Sequence, residues 1–385
     1  MKAAWEERPL GEVSTYLNRG VSPTYLEDGG ICVLNQKCIR DHAVSFALSR
    51  RHDAAAKAVA PERIIQEGDV LVNSTGTGTL GRVAQLREAP PEPTTVDSHV
   101  TIVRPKKDLI HSDFFGYMLV AIEEQLQAGG EGCGGQTELA RAVLAERYRV
   151  RYPCSKDEQI RIVGIFDKAF EGIAEAKANT QRNLENTHAV FRAVRHEVLE
   201  RRDDGWRDVT LNEVAENLDS RRVPVTKTAR EPGPYPYYGA SGVVDHVAEF
   251  IFDEETLLIS EDGANLLSRT TPIAFVARGK YWVNNHAHIL RFRSSITQRF
   301  VEEYIESISI KAYVTGTAQP KLTQKALYQI PIPLPRDEAT QAEIVAKLDE
   351  LREVTNRAAA LYERKLAALD ELKKSLLHHA FAGAL

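Results

Sequence analysis

Two stretches of the chain carry apolar residues at helical spacing, and each follows a region where they come in short, turn-separated runs. Within 337–382, Ile344, Leu348, Leu351, Ala358, Leu361, Leu369, Leu372 and Leu376 form one stripe, with neither proline nor glycine to interrupt it. The stretch 156–202 repeats the pattern with Ile162, Phe166, Ala169, Ile173, Ala176, Leu184, Val190 and Val194. Gly164 and Gly172 weaken that copy by about 1 kcal/mol each relative to alanine. Each stretch predicts an unbroken helix of roughly 65 Å. Two matched amphipathic helices of that length pack most simply on each other as an antiparallel coiled coil. Proline-rich entries, RYPC at 151–154 and IPIPLP at 330–335, close the preceding regions and set where each helix starts.

The preceding regions predict short β-branched strands at 31–34, 69–73, 100–104, 257–260, 273–277 and 288–292. Glycine-rich clusters at 74–81, 129–135, 231–242 and 261–265 separate them. Helical spacing predicts helices over 112–127 and 297–310. The fold class that follows is α+β with a distorted sheet.

The order mixed region, helix, mixed region, helix comes from a duplication. Val70–Arg104 lies over Leu257–Arg291 without a gap at a shift of 187, with eight identities: Leu71/Leu258, Gly76/Gly263, Leu80/Leu267, Arg82/Arg269, Val96/Val283, His99/His286, Ile102/Ile289 and Arg104/Arg291. Upstream, Trp5, Leu10, Glu12 and Val13 match Trp206, Leu211, Glu213 and Val214 at a shift of 201. Downstream, Gln136 and Leu139 match Gln319 and Leu322 at 183, and Gln159, Ile162 and Val163 match Gln341, Ile344 and Val345 at 182. The shift changes only between blocks, as when loops vary in length and elements do not.

Composition narrows the classes. The chain has 385 residues and a net charge of -5, and none of its four regions carries a basic excess. A protein holding DNA by charge alone would be basic, so nucleic-acid binding here must use local patches or a partner's charge. Four cysteines (Cys32, Cys38, Cys133, Cys154) without a C-x2-C pair make no disulfide framework and no structural zinc site. No apolar run is long enough to span a bilayer, and the first residues lack an apolar signal core; a cytoplasmic protein is expected.

No catalytic set stands out. There is no G-x-S-x-G elbow, no H-E-x-x-H, no repeated D/E-x-K nuclease core and no N/D-P-P-[YF] methyltransferase tetrapeptide. The loop 74–81 lacks the Lys-Ser/Thr of a P-loop, so its glycines read as a turn that brings Ser74, Thr75 and Thr77 toward a ligand. His286 and His288 alternate along a strand with Asn284, but the first copy matches them only with His99 and Thr101, which argues for no metal. The segment YPYYGASG at 235–242 mixes tyrosines with glycine and serine; an ordinary surface turn is the plain alternative. Glutamine beside a glycine turn recurs in GGQTEL (134–139) and GTAQPKL (316–322), and Gln or Asn suits bidentate readout of adenine.

Taken together, these motifs resemble the specificity (S) subunits of type I restriction-modification enzymes. The resemblance rests on the paired starts at Trp5 and Trp206, on YPYYGASG followed by LLISEDGAN and VNNHA, on GTAQPKL, and on IPIPLP with TQAEIV before the long helix. The first copy has no equivalent of YPYYGASG, which implies that the two domains read different sequences. The resemblance implies two target recognition domains, 1–152 and 205–335, and two helical spacers, 153–204 and 336–385. Each domain would read one half of a split, asymmetric target in double-stranded DNA. The spacers would act as a ruler and dock two methyltransferase (M) subunits, which carry S-adenosylmethionine and methylate adenine N6. A restriction (R) subunit would add ATP/Mg-dependent translocation and cleavage, and this chain would have no catalytic residues. Faces on one side of B-DNA sit about one turn, ~10 bp, apart.

The candidate readers are Lys37, Arg40, Ser74, Thr75, Thr77, Ser98, His99 and Gln136 in the first domain. In the second they are Tyr237, Tyr238, Ser241, Asn265, Asn285, His286, Gln319 and Lys321. Two other readings stay open: a specificity subunit serving a fused restriction-methylation enzyme, and a scaffold whose mixed domains bind peptides.

Overall fold

The strands that the sequence marks as continuous apolar runs are buried on both faces, and this sets the architecture. In the computed structural model, which describes residues 4–130, 138–202, 204–316 and 318–383, Val70–Asn73 is wholly buried. Alternate side chains point to opposite faces of a strand. Val70 and Val72 accordingly enter one core with Phe114, Phe115 and Met118, while Leu71 enters another with Leu34, Ile39 and Ile102. Thr256–Ser260 repeats the arrangement: Leu257 and Ile259 face Phe300, Val301 and Tyr304, and Leu258 faces Phe252, Tyr281 and Ile289.

The chain divides into two compact units, Met1–Asn179 with Lys365–Leu385, and Thr180–Arg364. Each holds one mixed region and a segment of each long helix. In the first unit an antiparallel sheet orders Ser14–Arg19, Val100–Pro105, Val70–Asn73 and Val83–Gln85. A second sheet orders Thr94–Val96, Ile31–Leu34, Arg50–His52 and Tyr25–Leu26, its first pair parallel. Trp5–Pro9 pairs with Arg149–Pro153. The second unit has the same three groups. Ala215–Asn217, Ala287–Phe292, Thr256–Ser260 and Ala274–Ala277 form the antiparallel sheet, and Gly242–Val247, Pro232–Gly239, Lys280–Val283 and Phe252–Asp253 the mixed one. Trp206–Val209 pairs with Ile332–Pro335.

The duplication therefore exists in three dimensions, and it corrects one expectation. Asp97 N donates to Leu34 O at 2.9 Å and Asn284 N to Tyr238 O at 3.0 Å, so Ile31–Leu34 occupies the place of the YPYYG strand. The first copy has an equivalent after all, without likeness in sequence. The helix over 112–127 is also two, Ser112–Ala121 and Glu123–Ala128, because Ile122 leaves helical geometry at φ -100° and ψ 5°. The helix near 297–310 spans Ser295–Ser307, where Ser294 caps the Thr297 amide.

The long helices are Lys156–Glu200 and Glu338–Phe381. Gln159 fixes the start of the first by donating to Pro153 O at 2.8 Å and accepting from the His111 amide at 2.7 Å. Gln341 does the same for the second, donating to Pro335 O at 2.7 Å and accepting from Thr297 Oγ1 at 2.8 Å. Their sheltered positions alternate by three and four, as in Gln159, Ile162, Phe166, Ala169, Ile173, Ala176 and Thr180, the signature of a left-handed helix seam. In the first unit the segments run antiparallel, with the Phe166 and Phe381 rings 6.1 Å apart and Lys177 Nζ bonded to Asp370 at 2.6 Å. In the second, Arg352 lies over the Phe191 ring at 5.2 Å. Val190, Leu361 and Leu372, assigned from spacing to the buried stripe, are exposed; the seam uses Phe191, Tyr362 and Lys373 instead. Each of the three lies one residue before a seam position.

Candidate nucleic-acid interface

At one end of the antiparallel sheet in each unit, four loops are tied together by the same bonds. Ser74 N donates to His99 O at 2.8 Å and Leu139 N to Ser74 O at 2.9 Å; Glu261 N donates to His286 O at 2.9 Å and Leu322 N to Glu261 O at 2.7 Å. The His99 amide is capped by Asp97 Oδ1 at 2.9 Å, and the His286 amide by Asn284 Oδ1 at 2.8 Å. Single bridges link Thr75 to Glu138 and Asp262 to Lys321. Asn73 Nδ2 donates to Gln36 O at 3.1 Å, and Ser260 Oγ donates to the matching Ala240 O. Gly76 and Gly263 turn the chain at φ +107° and +104°, where an L side chain is strained.

This scaffold presents one imidazole per unit. His99 Nδ1 shares a 2.7 Å hydrogen bond with Thr75 Oγ1. His286 Nδ1 lies 2.9 Å from both carboxylate oxygens of Asp262. The tied loops carry exposed polar residues: Lys37, Thr77 and Ser98 in the unit of His99, and Ser241, Asn285, Gln319 and Lys321 in that of His286, Ser98 alone being half-buried. Lys37 and Ser241 hold matching places, each directly after the carbonyl that accepts from the strand end. Short polar side chains on turns, flanked by a lysine and with backbone nearby, suit hydrogen bonding to base edges and phosphates.

Residues 203–364 match the family model described as type I restriction modification DNA specificity domain. Over 195 residues, 46% of this chain, the sequence is 32% identical to a Haemophilus influenzae protein that carries the name of a type I restriction enzyme specificity subunit. The match spans about half of that relative, 49% of its length. The fold agrees with a solved chain from work on complex assembly and conformational transition of the type I R-M system, at 19% identity, a TM-score of 0.78 and 100% coverage of both chains. It also agrees with the HsdS subunit from Thermoanaerobacter tengcongensis, at 19% identity, a TM-score of 0.57 and coverage of 99% and 97%. The likeness in sequence thus covers residues 203–364 for the specificity-domain family and about half of the chain for the Haemophilus influenzae relative, while the likeness in fold extends over the whole chain.

The loop rims sort the candidate readers. Lys37, Thr75, Thr77, Ser98, His99, Ser241, Asn285, His286, Gln319 and Lys321 come together on the two rims. Ser74 and Tyr237 do not. Ser74 is fully buried and bonded to the Thr101 hydroxyl. Tyr237 is fully buried, its hydroxyl accepting from the Val225 amide at 3.1 Å. Both are corrected to structural residues. Tyr238 stacks on Phe275 at 6.1 Å and meets Tyr281 edge-on, and burial raises its hydroxyl's pKa. Asn265 spends its amide on the Thr271 backbone and the Thr270 hydroxyl. Arg40 is exposed in a hairpin whose tip, His42, is bonded to Glu123 and Lys373. Gln136 lies outside the described residues.

Beneath the second rim lies a charged layer that residue patterns did not reveal. Asp219, Glu261 and His288 bring their ligand-type atoms within 4.8 Å of one another. His288 is buried, with Nδ1 2.6 Å from Asp219 Oδ2 and Nε2 donating to Leu322 O at 2.8 Å. Arg222 donates to Glu261 at 2.6 Å, and Lys321 Nζ sits 3.1 Å from the other Glu261 oxygen. Two cationic side chains already compensate the carboxylates, so the donor set suits a closed ionic cluster better than a cation site. His286 does not join it, because it sits in the turn before the strand Ala287–Phe292 and bonds a different acid. The signal for Asp262, also missed, was its constant shift from Thr75.

Proposed function

We propose that this chain is the non-catalytic, sequence-reading subunit of a type I restriction-modification complex in the cytoplasm. The domains 1–152 and 205–335 each read one half of a split, asymmetric target in double-stranded DNA. The helical spacers 153–204 and 336–385 set the distance between the halves and dock two M subunits. Those subunits supply S-adenosylmethionine and methylate adenine N6; an R subunit with ATP/Mg completes the complex. The observation that carries this reading is the twofold construction of one loop rim on a common bond pattern, with different side chains on each copy. A duplicated scaffold with divergent polar tips is what two half-sites of different sequence require. The neutral-to-acidic composition fits as well, since phosphate contacts supply much of the affinity and M subunits would contribute them.

The test is co-expression with the adenine methyltransferase encoded beside it, followed by mapping of N6-methyladenine in host DNA. One split motif is expected, with one half altered when one mixed domain is exchanged for that of another specificity subunit. A stable, cofactor-bound complex that methylates at no motif would overturn the reading in favour of a protein-interaction scaffold.

A further inference from the structure

The two rim histidines match in backbone and differ in what holds the ring. Because an ionised carboxylate only accepts hydrogen bonds, the two 2.9 Å contacts from Asp262 place the ring proton of His286 on Nδ1. The backbone amide and carbonyl of His286 are already engaged, and the ring is 45% exposed. Asp262 is itself held, 15% exposed and bridged through its backbone to Lys321. Lys321 gives its ammonium to Glu261 and not to Asp262. The edge left for a ligand is therefore Nε2, which carries a lone pair when the ring is neutral. Thr75 imposes no such choice on His99, since a hydroxyl both donates and accepts.

We propose that Asp262 is a positioning residue that makes His286 Nε2 a hydrogen-bond acceptor for a base amino group, adenine N6 or cytosine N4, in the second half-site. The inference rests on the DNA-reading function proposed above. An acceptor edge discriminates in the major groove: it meets the amino donors of adenine and cytosine and repels guanine O6 and N7, thymine O4 and phosphate oxygens. His99, free to hold either tautomer, tolerates either kind of edge. The second half-site then contains one base pair at which the amino-bearing base is strongly preferred on the contacted strand, and the first half-site lacks a counterpart set by its histidine.

The test uses the complex with the M subunit and a panel of duplexes carrying every single base-pair change across the target. Asp262→Asn should relax discrimination at one base pair of one half-site by roughly tenfold and leave the rank order elsewhere intact, because an amide holds either tautomer. Nitrogen-15 NMR of the histidines in the unaltered chain should find Nδ1 of His286 protonated and Nε2 bare, with the two forms mixed in Asp262→Asn. A protonated Nε2 in the unaltered chain would overturn the inference even if the variant did not fold. A complex that reads its motif with discrimination unchanged in Asp262→Asn would sink this inference alone. A complex with no sequence preference would sink the DNA-reading function and this inference with it.

Discussion

Ser74 and Glu261 stand at the same place in the two units, yet one is neutral and paired with a hydroxyl while the other anchors an ionic cluster. Ser74 Oγ bonds Thr101 Oγ1, and both residues are fully buried. Their counterparts, Glu261 and His288, recruit Asp219, Arg222 and Lys321. The backbone bonds around them are the same within a few tenths of an ångström. The lesson is that the duplicated scaffold is held by main-chain bonds and buried apolar strands, whereas the layer beneath the tips can be rebuilt in another chemistry. Such a scaffold lets its reading surface diverge without losing its frame.

Removing one member of the ionic layer should give the largest effect. Asp219→Ala leaves the buried His288 Nδ1 and the Ile289 amide without their acceptor, and breaking a buried charged pair this way costs about 3–5 kcal/mol. Urea denaturation followed by tryptophan fluorescence would read it, and a cost below ~1 kcal/mol would mean that the layer is solvated. The same layer sets an acid limit. Burial alone would raise the pKa of Asp219, but the bond from His288, its charge and the Ile289 amide outweigh burial and hold it below 3.8. Its stabilisation is therefore complete above its unfolded pKa and lost as pH falls through the lower folded one. The neutral layer should respond less. Ser74→Ala strands a buried Thr101 hydroxyl at about 1–2 kcal/mol, and Ser74→Ala with Thr101→Val should recover most of that loss.

Much of the frame was legible because it is written in repeats. A constant shift of 187 aligns Ser74 with Glu261 and His99 with His286 in the sequence alone, and the matched bonds are its physical content. Leu71 and Leu258 were equally readable, since a strand buried on both faces keeps an unbroken apolar run. Ile31–Leu34 was not recognised as the partner of the tyrosine-rich strand. Two strands share a place in a sheet through main-chain bonds, which leave no trace in side-chain identity. Tyr237 misled for a related reason: alternation along its strand sends it inward to the Val225 backbone, and tyrosine serves a core as readily as a surface. Val190, Leu361 and Leu372 were misplaced because each is an apolar residue one position before the seam, where Phe191, Tyr362 and Lys373 take the sheltered place.

The smallest expected effect tests how far the equivalence of the rims extends, and it concerns Asp97 against Asn284. Both cap the amide of the rim histidine through Oδ1, at 2.9 Å and 2.8 Å. Asp97 is 3% exposed, and burial raises its carboxyl pKa despite the bond from His99. A carboxyl with a raised folded pKa binds protons more readily in the native state than in the unfolded one. Its ionisation thus costs stability as pH climbs through that folded value. Asp97→Asn keeps the accepting oxygen and removes the charge, which converts the first rim to the chemistry of the second. It should stabilise the protein near pH 7, with the gain vanishing below pH ~3.8, where aspartic acid is neutral in both states. Denaturation midpoints measured across pH 3–8 would trace this slope. A destabilised Asp97→Asn at pH 7 would show that the first rim uses the negative charge itself, so that the two caps would share geometry but not chemistry.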